Sequence, residues 1–425
     1  MFIFAASKMI IMKSKDILYK CFALTLAVTL FSGCGEKNKI KESSTSKVNN
    51  IAIDNGLRER LTDFASKPRT KGRFAFSVYD LTADKPVLGV NENDALPVAS
   101  CMKLLSGVAG LHLLGTNYKY TTSIYMRGKQ ENGTLHGDIT FQGDLDPQLN
   151  APDLAMFIDA IKKENIKKID GNLILDLLLK EPVKSEQHWY PWDLSFSRYG
   201  LLYKGVPRIT KELKLALRNN GIAVKDSQVV VGRVPKGSQC LLRYHLPIGL
   251  VIARMWKHSS NTQATSLLYT IGHRVSPNGS PTAAGVAYLR KFLREDLGLK
   301  DKSLVVHDGC GLCTYNHLSP LALTTILRYG YNDKHIYHML LSHLSISGVD
   351  GTLRSELNDV KLRGKIHGKT GTLSHPYGIS SLAGYCQGSN GHTLAFAITD
   401  SEMSVLDARV LQDRLCRILV DDGQK

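Results

Sequence analysis

The stretch Leu-Pro-Val-Ala-Ser-Cys-Met-Lys-Leu-Leu-Ser, residues 96–106, limits what this chain can fold into more than any other. Ser100 and Lys103 stand three residues apart just as an apolar helical run begins. Positions i and i+3 share a helix face, so the amine reaches the hydroxyl. A serine hydroxyl becomes a useful nucleophile only when a neighbouring base takes its proton. At a helix N-terminus it also has free backbone N–H groups and the positive dipole end beside it, both suited to a developing oxyanion. Spacing alone is weak evidence, since Ser44 and Lys47 repeat it in a polar stretch with no apolar helix to follow.

Upstream, Lys13, Lys15 and Lys20 precede the short apolar segment 21–33, which is too short to span a bilayer comfortably. Small Ser32 and Gly33 then precede Cys34, so residues 1–34 read as a secretory signal ending in a lipobox, with Cys34 acylated after cleavage. Phe31 is unusual three residues before such a cysteine, and an ordinary cleaved signal is the alternative. Met12 is the more natural start. Residues 35–50 are charged and serine-rich with few apolar side chains, which makes them a tether. The expected location is the cell envelope, as an exported, periplasmic, membrane-anchored lipoprotein.

Residues 51–425 exceed what one core usually accommodates, so two lobes are expected. A hydrophobic fraction of 43% rules out a disordered chain. The net charge of +16 comes with no recognition helix, zinc spacing or aromatic-basic repeat, so no nucleic-acid partner is expected. An anionic envelope surface accounts for it more simply. Beyond the signal lie Cys101, Cys240, Cys310, Cys313, Cys386 and Cys416, which could supply one or two disulfides. Cys310-Gly-Leu-Cys313 could be a redox pair or half a zinc site, but no second C-x-x-C completes it; small buried residues at a tight turn are the simpler reading.

Residues 51–66 have helical apolar spacing, and 73–80 with 86–90 alternate as a hairpin. A second hairpin turns at Glu131-Asn-Gly133. The catalytic region is expected over 51–147 and 237–425, with an inserted, smaller α+β domain over 148–236. Residues 250–271 form a long helical pattern broken by Lys-His-Ser-Ser-Asn, and polar side chains in mid-helix mark Ser259 and Asn261 as functional. Lys369, Thr370 and Gly371 follow one another in the strand pattern 365–373, where a glycine signals close approach of another backbone, here a ligand's.

The order S-x-x-K, S-x-N, K-T-G resembles the penicilloyl-serine transferases, which include class A β-lactamases and penicillin-binding proteins. More of the chain is similar to the penicillin-binding protein 4 (DacB) type of D-alanyl-D-alanine carboxypeptidase/endopeptidase, the low-molecular-mass class C proteins. The further stretches are Ile169–Asn172, Trp189-Tyr-Pro-Trp192, Asp308-Gly-Cys-Gly-Leu312 with Asn316, Gly348-Val-Asp-Gly351 and Gly368–Leu373. The resemblance implies a β-lactamase/transpeptidase-like α/β (α+β) fold: an antiparallel sheet flanked by helices, with an inserted domain. It departs at Ser260, where Asp is common, at Cys310, where Ser is usual, and at Thr314, where Arg is often found. The insert is shorter than in the longer members, and residues 374–378 lengthen the loop beside the third motif.

By that resemblance Ser100 is the nucleophile and Lys103 its base, neutral through burial and the charge of Lys369. Ser259 relays a proton, Asn261 holds the substrate amide and orients Lys103, and Lys369 with Thr370 binds the terminal carboxylate. Backbone N–H groups of Ser100 and Thr372 form the oxyanion hole. The implied partners are peptidoglycan stem peptides, β-lactams and, through Cys34, a membrane. No cofactor or metal is expected, because His258, His307, His367 and His375 lack a ligand spacing. A serine β-lactamase is the alternative, weakened by the lack of a Glu-x-x-Leu-Asn stretch between the first two motifs. A catalytically silent peptidoglycan-binding lipoprotein is another. The motifs do not separate carboxypeptidase from endopeptidase activity.

Overall fold

A computed structural model describes residues 51–68, 71–186, 188–193 and 198–421. The expected signal, Cys34 and the tether lie outside the described residues. Residues 50–425 form one compact unit.

Asp54 caps the first helix, α1 (Asn55–Ser66), its carboxylate accepting from the Leu57 N–H at 2.9 Å. The predicted hairpin follows as β1 (Arg73–Asp80) and β2 (Lys85–Val90). The short β3 (Leu96–Pro97) leads through a 3-10 turn, Ala99–Cys101, into α2 (Met102–Leu114). Every residue from Met102 to Leu111 is buried, so α2 is a central helix rather than an amphipathic one. The hairpin β4 (Lys119–Glu131) and β5 (Thr134–Gly143) turns through Asn132 and Gly133, both at positive φ, as a two-residue turn requires. Next come α3 (Leu154–Lys163), β6 (Lys168–Ile169), β7 (Leu173–Leu177), α4 (Gly205–Asn219), β8 (Val229–Val231) and β9 (Gln239–Pro247). Helices α5 (Ile248–Lys257), α6 (Asn261–Val275) and α7 (Pro281–Lys291) follow. The chain closes with β10 (His317–Leu318), α8 (Pro320–Asn332), α9 (Lys334–His343), β11 (Ser345–Ile346), β12 (Ile366–Leu373), β13 (Ile379–Gln387), β14 (Thr393–Ser401) and α10 (Val405–Val420).

One six-stranded antiparallel sheet has the order β11-β12-β13-β14-β1-β2. Side chains alternate across it. Phe396 and Ile398 join Leu57, Leu61, Leu415 and Leu419 under α1 and α10. Ala395 and Ala397 face the other way, into the core that holds α2 and α8. This is the antiparallel sheet flanked by helices that the motifs imply.

The second sheet has the order β8-β7-β5-β4-β9, with β6 beside β5. Its β5, β7 and β8 run parallel, with α3 and α4 between them in the chain. The sheet limits differ from the expected insert at 148–236. Strands β4, β5 and β9 lie outside that segment but pair into the same sheet, Tyr120 opposite Leu246 and Ile139 opposite Leu173. The physical reason is that edge pairing across a long insertion leaves no local trace in the sequence. A single apolar cluster runs from Phe141, Phe157 and Leu175 to Leu104, Leu267 and Leu323, so the two sheets share one core.

Candidate active site

The motif pair opens α2 as its spacing requires. Lys103 Nζ lies 2.8 Å from Ser100 Oγ, and also donates to Asn261 Oδ1 at 2.8 Å and to the Cys310 carbonyl at 2.5 Å. As an ammonium the amine donates to all three; as a neutral amine it donates to Asn261 and Cys310 and accepts the Ser100 hydroxyl on its lone pair, so every position on the nitrogen is filled either way. The third partner is a main-chain group that side-chain reasoning missed.

The backbone at Ala99 has φ +44°, a left-handed conformation that costs a non-glycine residue roughly 1–2 kcal/mol. It sits immediately before Ser100, and such strain is typically held by surrounding structure. Gly371 explains part of that hold. A side chain there would meet the Val98 carbonyl at 2.4 Å and Cys101 N at 3.0 Å. The close approach read from this glycine is real, but the approaching backbone is the protein's own turn at 98–101 rather than a ligand's. Gly371 is buried, so its part is to let β12 lie against the start of α2.

The polar break at 257–261 is a boundary between two helices. Helix α5 ends at Lys257, Ser259 takes φ +55°, and Ser260 caps α6 by accepting from Gln263 N at 3.4 Å. Ser and Asp are both strong N-caps, so Ser260 serves as well as the Asp that the resemblance leads one to expect there. Asn261 is the first residue of α6 and Ser259 precedes the cap, so both side chains meet the amines from α2 and β12.

Lys369 Nζ donates to Ser259 Oγ at 2.9 Å and to the Thr370 carbonyl at 2.6 Å. Thr370 Oγ1 donates in turn to Thr352 Oγ1 at 2.8 Å. Thr372 is exposed at the end of the strand. Lys103 and Lys369 are both fully buried, whereas Ser100, Ser259, Asn261 and Thr370 are half-exposed. The cleft thus presents hydroxyls and an amide at its surface and two amines in its floor. Burial holds Lys103 below the ordinary lysine range. Burial and the charge of Lys103 bring Lys369 down to about 7. Two ammonium groups cannot share so dry a floor cheaply, so at neutral pH one amine is free to act as a base.

The loop that presents the Cys310 carbonyl is built on one buried carboxylate. Asp308 accepts from Cys310 N, Gly311 N, Cys313 N, Asn316 Nδ2 and Trp189 Nε1 at 2.6–3.0 Å. Asn316 Oδ1 accepts from His307 N at 2.7 Å. Gly311, at φ +84°, lies where any side chain would strike the Ala99 carbonyl. A second brace joins the other motifs. Lys257 Nζ pairs with Asp350 at 2.5 Å, and Ser345 Oγ donates to the Lys257 carbonyl at 3.0 Å. The stretches 308–316 and 348–351, which stand in the sequence only as signatures, form the scaffolding of the site.

The six described cysteines beyond the signal are all free, so no disulfide forms among them. Cys310 and Cys313 are buried with thiols pushed up by burial, which leaves the C-x-x-C in its simpler structural reading. Cys101 is buried too, donating to the Lys369 carbonyl at 3.0 Å. Among the described residues no group of three or more His, Cys, Asp or Glu is placed to hold a metal.

A family model described as D-Ala-D-Ala carboxypeptidase 3 (S13) matches residues 57–199 and 206–420. A D-alanyl-D-alanine carboxypeptidase DacB from Haemophilus influenzae is 22% identical over 422 residues, 79% of this chain and 87% of the relative. A D-alanyl-D-alanine carboxypeptidase of Actinomadura sp. is 30% identical over 209 residues, 47% of this chain and 37% of the relative. The crystal structure of penicillin-binding protein 4 (DacB) from Haemophilus influenzae superposes with a TM-score of 0.69 at 20% identity, covering 84% of this chain and 97% of that one. The penicillin G-acylated endopeptidase Bd3459 from Bdellovibrio bacteriovorus, in complex with immunity protein Bd3460, superposes with a TM-score of 0.52 at 18% identity, covering 80% and 90%.

Proposed function

This chain belongs to the D-Ala-D-Ala carboxypeptidase 3 (S13) family, and from that premise we propose that Ser100 cleaves the terminal D-alanine from peptidoglycan stem peptides through an acyl-enzyme. The protein is a serine-type D-alanyl-D-alanine carboxypeptidase. The observation that carries the residue roles is the 2.8 Å contact between Ser100 Oγ and the fully buried amine of Lys103.

Neutral Lys103 takes the Ser100 proton as Oγ bonds to the carbonyl carbon of the penultimate D-alanine. Negative charge then develops on the carbonyl oxygen, where the backbone N–H groups of Ser100 and Thr372 receive it, each donor contributing about 3–4 kcal/mol. The carbon–nitrogen bond breaks as a proton passes from Lys103 by way of Ser259 to the leaving amine. Water hydrolyses the ester, and its proton restores the Ser100 hydroxyl. The substrate carboxylate sits at Lys369 and Thr370. Its arrival raises the affinity of Lys369 for a proton, which sharpens the preference for a neutral Lys103. A β-lactam offers the same carboxylate and a strained amide, so it acylates Ser100 and leaves slowly.

The basic and apolar stretch before Cys34 supports export and lipid anchoring to the envelope. Labelling with radioactive palmitate that disappears in Cys34→Ala tests that anchor; equal labelling of both chains refutes it. The catalytic reading is tested by intact mass after brief exposure to benzylpenicillin, together with D-alanine release from a diacyl-D-alanyl-D-alanine peptide. A stable adduct and turnover, both lost in Ser100→Ala, are expected. Rapid consumption of the drug without an adduct would mark a β-lactamase, and intact drug with no adduct a silent scaffold.

A further inference from the structure

Beyond the loop on which Asp308 sits, a cavity of about 390 Å³ opens between Glu186, His188, the start of α7 and His307. It is an open depression lined by Glu186, His188, Ser280, Thr282, Arg290 and His307, with Ala283 and the buried Val286 as its apolar part; His188, Ser280, Ala283 and Arg290 are exposed. The His188 and His307 rings lie 4.8 Å apart, and the exposed ring of Tyr315 stands edge-on to both. His188 takes φ +73°, a costly conformation for a residue with a side chain, which holds its imidazole against His307. Burial, and then the charge of Asp308, push the Glu186 carboxyl up to about 7, so near neutrality it both donates and accepts. None of these groups takes part in the proposed chemistry at Ser100.

We propose that this cavity is a carbohydrate subsite that takes one N-acetylhexosamine unit of the glycan strand from which the stem peptide hangs. The inference rests on the peptidase reading above and extends it to the sugar. Three features support it. The volume falls in the range of small-molecule sites and suits one pyranose ring. The lining offers both donors and acceptors to a ring that carries both: the Thr282 hydroxyl, the Glu186 carboxyl, the His188 and His307 imidazoles and those guanidinium N–H groups of Arg290 not spent on the Val306 carbonyl. The His188 and His307 rings in the lining, with the exposed Tyr315 ring packed against them, supply aromatic surface for its C–H groups.

The reach is also right. The Cys310 carbonyl is 2.5 Å from Lys103 Nζ, which is 2.8 Å from Ser100 Oγ. His307 precedes Cys310 by three residues, at most about 11 Å of chain. From the sugar to the carbonyl that Ser100 attacks a pentapeptide stem has four residues, about 14 Å when extended, so one substrate can place its penultimate D-alanine at Ser100 and its sugar in the cavity.

The test compares D-alanine release by the full chain from a pentapeptide carrying its N-acetylglucosaminyl-N-acetylmuramyl disaccharide and from the same pentapeptide without it. Two hydrogen bonds of ordinary strength predict a kcat/KM for the glycosylated substrate roughly tenfold higher, mostly through KM. His188→Ala and Thr282→Val should each bring that ratio towards one. Because each variant is judged by a ratio, damage to the fold lowers both rates and leaves the ratio readable in the other variant. A ratio of one in the parent, or an undiminished ratio in both variants, overturns the subsite. No release from either substrate and no benzylpenicillin adduct would instead overturn the peptidase reading on which it stands.

Discussion

Replacing Lys369 with methionine should make the protein more stable at neutral pH while abolishing its acylation. The magnitude follows from the amine's position. Lys369 is fully buried and titrates at about 7, against about 10.4 for an exposed lysine in the unfolded chain. Between those values the unfolded state binds a proton that the native state does not, so native stability falls as pH drops from about 10.4 to 7 and levels off below. The slope is about 1.4 kcal/mol per pH unit for each such group, or about 2 kcal/mol from pH 8.5 to 7. Lys103, also lowered, adds a slope of the same sign.

Other groups leave this window clear. The raised carboxyls of Asp144 and Glu186 act below about 7, and the raised thiols of Cys101, Cys310, Cys313, Cys386 and Cys416 oppose stability only above about 8.5. Methionine removes the cost of the buried amine but leaves the Thr370 carbonyl without its donor, a loss of about 1–3 kcal/mol. Lys369→Met should therefore be about 2 kcal/mol more stable than the parent at pH 7 and roughly level with it at pH 8.5. Urea unfolding of residues 50–425 across that range measures both curves. Parallel curves would refute the assignment of a depressed amine to Lys369.

Three other substitutions probe the frame. Gly371→Ala drives a methyl group into Val98 and the turn before Ser100; it should cost about 1–3 kcal/mol by thermal unfolding and slow benzylpenicillin acylation far more than that loss explains. Asp308→Asn turns one acceptor of a buried, five-donor carboxylate into a donor, which should destabilise by about 3 kcal/mol and release the Cys310 carbonyl from Lys103, seen as slower acylation. Cys310→Ser should keep acylation within a few-fold of the parent, because the contact with Lys103 is made by the main chain; a large loss would assign the thiol a part in the chemistry.

How much of this was legible in the sequence depended on whether the signal was local. Ser100 and Lys103 needed only helix periodicity, and the β4–β5 turn only Asn132-Gly133. The break at Ser259–Asn261 showed as misplaced polarity, which the capping role of Ser260 explains. The limits of the second sheet were not legible, since β4 and β9 find each other across more than a hundred residues. The Cys310 carbonyl was invisible because every residue has one. Gly371 announced a close approach but could not say whose backbone approaches. The pairing of Lys257 with Asp350 joined charges that are unremarkable on their own and meaningful only in the fold.

The chain holds three tryptophans, and two of them are hydrogen-bonded into the frame around Lys103. Trp256 Nε1 donates to the Lys103 carbonyl at 2.8 Å, and Trp189 Nε1 donates to the Asp308 carboxylate that shapes the Cys310 loop. Both indoles are buried, so their emission depends on the field around Lys103 more than on solvent. A proton moving onto that amine, or an acyl group settling on Ser100, alters that field at close range. A change in intrinsic tryptophan fluorescence on acylation is therefore the expected outcome, followed in stopped flow without a label or a chromogenic substrate; an unchanged signal while the benzylpenicillin adduct forms would refute it.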